Sequence, residues 1–171
     1  MTFVHEFGHV IFGLAMGGEL TLMQIAWLKI YPQIAFAPYY ALGYVIISGL
    51  ESDFANGLMG LGGSLTTNLV AWVIALIMVR IKFRRIIENG LKFLGLFGIL
   101  DLPFYVVLPQ VGLQHWFFLG GSEPEPLLSA RLMGISDPAF YLLVALSTFG
   151  LLFYYYRKGF LYVLSKEKKL K

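Results

Sequence analysis

The 171-residue chain contains no cysteine. That absence excludes disulfides and thiolate metal sites, so any bound metal must be held by His, Asp or Glu. Charge is also scarce. Only 13% of residues are Asp, Glu, Lys or Arg, against about 25% in soluble domains. Apolar residues reach 58% and the mean hydropathy is +0.73. A soluble fold would have too little polar surface to cover itself, so the composition indicates an integral membrane protein. There are three histidines, His5, His9 and His115, which keeps the set of candidate imidazole ligands short. No cleavable secretory leader is expected, because the first apolar stretch holds two of these histidines.

The net charge of +3 matters less than its placement. Arg80, Lys82, Arg84 and Arg85 form one basic group. Arg157, Lys158, Lys166, Lys168, Lys169 and Lys171 form the other. Basic patches can bind nucleic acid. Here both directly follow apolar spans, where short basic loops mark the cytoplasmic side, and no nucleic-acid partner is expected. The reading is one membrane-embedded core over residues 1–157 and a basic cytoplasmic tail over 158–171.

The fold class expected is an all-α polytopic membrane protein with about four to five transmembrane or half-spanning helices. A first helix runs from residue 2 to Met16 and stops at Gly17-Gly18. It is too short to span. Either it begins within the membrane face or more chain precedes it. The β-prone stretch from Glu19 to Tyr31, a turn at Tyr31-Pro32-Gln33 and a return over Ile34 to Ala37 predict a small membrane-associated hairpin. Tyr39 to Leu50 is apolar and short, and is expected to be a half-span or an interfacial helix. Asp53 is the expected N-cap of a span from Phe54 to Val79 whose glycines suit close helix packing. Further spans are expected over Leu91 to Leu108 and from Asp137 to Tyr156, separated by a loop over residues 109–136. Placing both basic groups on one side makes the first helix and the Leu91 helix parallel.

The chemistry concentrates in His5-Glu6-Phe7-Gly8-His9. Residues i and i+4 share a helix face, so both imidazoles can grip one metal ion, with Glu6 beside it to act as a base towards an activated water. Catalytic zinc takes three protein ligands and leaves one position open. Asp101 is the preferred third ligand, because an isolated carboxylate deep in an apolar span is a functional candidate by default. His115 is the alternative, and a glutamate ligand is a further one. Asp101 could also cap a kink at Pro103, and His115-Trp116 could be an interfacial pair. Glu123-Pro124-Glu125-Pro126 has the composition of a stiff exposed loop.

These residues resemble the site-2 protease family of intramembrane zinc metalloproteases. The resemblance rests on HEFGH in the first helix, on Leu100-Asp101 two spans later with Leu102 where the family has glycine, and on Gly62-Gly63-Ser64-Leu65-Thr66-Thr67-Asn68, similar to a family stretch ending in asparagine. It implies a minimal, core-only member that binds one Zn²⁺ per chain through His5, His9 and Asp101, uses Glu6 as catalytic base, and hydrolyses peptide bonds in or near transmembrane segments. It also implies a membrane-protein substrate taken as an extended strand along the sheet, with Asn68 contacting it. Asn68 could equally serve helix–helix hydrogen bonding. A membrane metal-binding or chaperone-like protein without hydrolysis is the alternative reading.

Overall fold

The computed structural model describes residues 1–39, 41–117 and 120–161. Most of the expected tail, with Lys166, Lys168, Lys169 and Lys171, lies outside the described residues. The elements in chain order are α1 (Thr2–Ala15), β1 (Glu19–Ile25), β2 (Leu28–Tyr31), β3 (Ala35–Phe36), β4 (Gly43–Ser48), α2 (Asp53–Arg80), α3 (Arg85–Val107), a 3₁₀ turn (Leu108–Val111), α4 (Glu125–Leu132) and α5 (Asp137–Arg157). Among the described residues three helices are long and apolar enough to cross a membrane: α2, α5, and α3 with its 3₁₀ extension. That is fewer than the four to five spanning or half-spanning helices expected.

α1 is inside-out. His5, Glu6 and His9 are buried, whereas Phe3, Phe7, Ile11 and Leu14 are each 45–55% exposed. A helix facing water would bury the second set and expose the first. The helix closes as the pattern requires, with Gly17 at φ +84° and the Gly18 N–H donating to the Gly13 carbonyl at 3.0 Å.

Three expectations are corrected here. The first is the loop over residues 109–136, which contains α4 with Pro126 buried, rather than an exposed loop over residues 123–126. Tyr39 to Leu50 forms no helix in its described part but contains β4. Its run Tyr44-Val45-Ile46-Ile47 is aromatic and β-branched and bounded by Gly43 and Gly49, which suits a short strand. The expected hairpin is therefore a four-stranded antiparallel sheet in the order β3-β2-β1-β4. Register pairs Leu20 with Ile47, Met23 with Val45 and Ile25 with Gly43. A bulge between Leu20 and Leu22 is bridged by the Thr21 hydroxyl donating to Ile46 O at 2.9 Å. The fold is accordingly mostly helical rather than all-α. The third correction is small. Ser52, not Asp53, caps α2, accepting from the Ala55 N–H at 3.1 Å.

Glycines let α2 serve as the central post. A methyl on Gly8 would meet the Gly62 carbonyl, so α1 lies directly against α2. Methyls on Gly57 and Gly60 would run into Ser129, so α4 does the same on another face. Close approach of this kind replaces hydrophobic drive where lipid is as apolar as the side chains. Two buried clusters complete the packing. Leu102, Val106, Leu127, Ala130, Phe140 and Val144 join α3, α4 and α5. Ala71, Ala75, Ile99, Leu151 and Tyr155 join α2, α3 and α5, and the Tyr155 hydroxyl donates to Ala71 O at 3.2 Å.

Candidate metal centre

One helical turn brings the rings of His5 and His9 to a centroid separation of 4.8 Å, nearly perpendicular. Their Nδ1 atoms point away from each other into fixed acceptors. His5 Nδ1 donates to Asp101 Oδ2 at 2.9 Å, and His9 Nδ1 donates to Met59 O at 2.8 Å. Both acceptors leave the proton on Nδ1, so each Nε2 presents its lone pair. Both Nε2 atoms face the same space, because a methyl on Gly63 of α2 would collide with each of them. Glycine at this position makes room for the two rings.

Glu125, the first residue of α4, closes this space. Its Oε1 lies 3.9 Å from His9 Nε2, and donor atoms of His5, His9 and Glu125 fall within 4.8 Å of one another. Donors held about 2 Å from one tetrahedral ion stand about 3.3 Å apart. The Glu125 side chain, 43% exposed, has the freedom to make up the difference. Two imidazoles and a carboxylate are donors that divalent ions such as zinc accept, so the residues present fit a metal.

The group of donors close enough to share an ion is completed by Glu125, a glutamate being one of the alternatives the sequence left open. Asp101 and His115 line the same cavity but lie outside that group. Asp101 is buried behind His5, where its Oδ2 also accepts from the Thr67 hydroxyl at 2.7 Å. His115 is buried on the loop over the cavity. Its ring stacks on Tyr105 at 3.9 Å, and Tyr105 stacks on His5 at 4.6 Å. The Nε2 of His115 donates to the Glu123 carbonyl. Burial pushes this imidazole below its ordinary pKa, while the Glu123 carbonyl pulls the other way. Asn68 sits apart, at the packing of α2 on α5, accepting from the Ser147 hydroxyl at 2.9 Å, and it does not line the cavity.

Glu6 is buried, and its carboxyl packs against Gly43, where a methyl would strike Oε1. Glu6, His5, His9, Glu125 and residues 41–45 line one cavity of about 510 Å³. Among the described residues β4 has β1 as its single strand partner, and it borders this cavity. The signal that could have found Glu125 is local. Pro124 and Pro126 flank it at a helix start, an apolar run follows, and Gly134 at φ +78° marks the stop.

Compared with protein-family models, curated proteins and solved structures, the chain matches none.

Proposed function

We propose that the chain is an intramembrane zinc metalloprotease, similar to the site-2 protease family in its first helix but with Glu125 in the ligand set. The observation that carries this reading is the approach of two imidazole nitrogens and one carboxylate to within 4.8 Å of one another, with Glu6 on the same cavity. Support for the membrane setting comes from α1, which turns its ionisable groups inward and its phenylalanines outward. The basic loop and tail are assigned to the cytoplasmic side.

His5, His9 and Glu125 would hold the ion. When bound, it lowers the pKa of an attacking water towards about 7 and polarises the scissile carbonyl. Glu6 takes one proton from that water as its oxygen bonds to the carbonyl carbon. Glu6 then delivers the proton to the amide nitrogen as the C–N bond breaks, which leaves an acid and an amine. The substrate lies extended beside β4, because a helical segment hides its peptide bonds within its own hydrogen bonds.

The test is hydrolysis of fluorescein-labelled casein by the detergent-solubilised chain, with metal content measured on the same samples. Glu6→Gln keeps the metal and lowers the rate about 10²–10⁴-fold. Glu125→Ala loses metal and activity together, and His115→Ala keeps the metal. A wild-type protein that holds zinc yet cleaves no faster than Glu6→Gln is a metal-binding protein without hydrolysis, and this reading falls.

A further inference from the structure

We infer that Thr67 and Asp101 are positioning residues that orient His5 and raise its affinity for the metal. The inference rests on the proposed assignment of His5, His9 and Glu125 as ligands. The three side chains form a buried chain, with Thr67 fully inaccessible and His5 and Asp101 each 3% exposed. One oxygen, Asp101 Oδ2, accepts from both neighbours, at 2.7 Å from Thr67 Oγ1 and 2.9 Å from His5 Nδ1. The Thr67 hydroxyl also lies 2.9 Å from Ser64 O. It has one proton, and the charged acceptor at the shorter distance takes it.

Two consequences follow for His5. A carboxylate on Nδ1–H fixes the tautomer that leaves Nε2 free, and it increases the electron density that Nε2 offers. His9 has only a peptide carbonyl behind it, from Met59. The two ligands are therefore unequal, and His5 is the stronger donor. The Tyr105 ring, stacked on His5, restricts its rotation from the other side.

The placement of Thr67 gives the relay its rigidity. Gly57, Gly60, Gly63 and Thr67 recur at helical spacing along one stripe of α2. The first two seat α4, the third makes room for the His5 and His9 rings, and the fourth braces Asp101. One helix face thus sets both the ligand set and the support behind it.

The test uses the full chain in detergent. Cobalt(II) affinity is measured by competition with a chromogenic chelator, and the cobalt visible absorption at saturation reports the ligand set. Thr67→Val weakens binding about tenfold or more, whereas Thr67→Ser, which keeps the hydroxyl, stays within about twofold of wild type. Both keep the wild-type absorption at saturation. If Thr67→Val does not fold, Thr67→Ala against Thr67→Ser makes the same comparison. Equal affinities for the Val (or Ala) and Ser variants overturn the relay. So does an Asp101→Asn absorption altered in the way that Glu125→Gln alters it, because the carboxylate would then be on the metal. A wild-type chain that binds no cobalt overturns instead the metal centre on which the relay depends.

Discussion

At the scale of single residues, the least conspicuous one in the site is Gly63. The Nε2 atoms of His5 and His9 both face the position its side chain would occupy. Alanine is favoured over glycine within a helix by up to about 1 kcal/mol, so Gly63→Ala should leave α2 intact. It should nevertheless abolish metal binding, because the added methyl displaces both imidazoles. Metal content and the unfolding midpoint, measured together, check this, and a metal-loaded Gly63→Ala protein would contradict the geometry. The imidazole pair was legible in the sequence because its spacing is local, and one helical turn is enough to juxtapose His5 and His9. Glu125 was not legible in the same way. Nothing in the spacing of residues 5–9 points to an acid so far along the chain, and its flanking prolines gave it the look of a loop. Asp101 was correctly singled out as a costly buried carboxylate, but burial alone does not say whether its oxygen meets an ion or a ring N–H.

At the scale of elements, α4 owes its position to close packing on α2. Ser129 rests where methyls on Gly57 and Gly60 would be. Gly60→Val should push α4 outward, at a cost of about 1–3 kcal/mol for the overpacked contact. Because Glu125 begins that helix, metal affinity should fall although no ligand has been changed. Chelator competition measures the loss, and an unchanged affinity would show that Glu125 reaches the site independently of its helix. The long spans were legible because apolar length is a property of composition. α4 and β4 were harder to read, since eight helical residues and six strand residues are too few for periodicity to separate. The β-branched run in β4 and the glycine after α4 were the usable signals.

At the scale of the molecule, the inverted polarity of α1 and the apolar faces of α2, α3 and α5 argue together for lipid. On α5, Leu142, Leu146, Phe149 and Phe153 are each at least 59% exposed, a surface that water would not tolerate over such an area. The absence of native cysteine offers a direct test of orientation. Lys82→Cys, between α2 and α3, and Lys158→Cys, after α5, should both react with an impermeant maleimide from the cytoplasmic face only. Labelling from opposite faces would overturn the assigned topology.

The donors of the candidate centre come from helices far apart in sequence, His5 and His9 from the first and Glu125 from the fourth. During synthesis the imidazoles leave the ribosome before the carboxylate, which follows only after two long helices have emerged. Under the proposed chemistry, a half-made chain threading into a crowded bilayer has no competent blade. Its neighbours are at risk only once α4 has emerged.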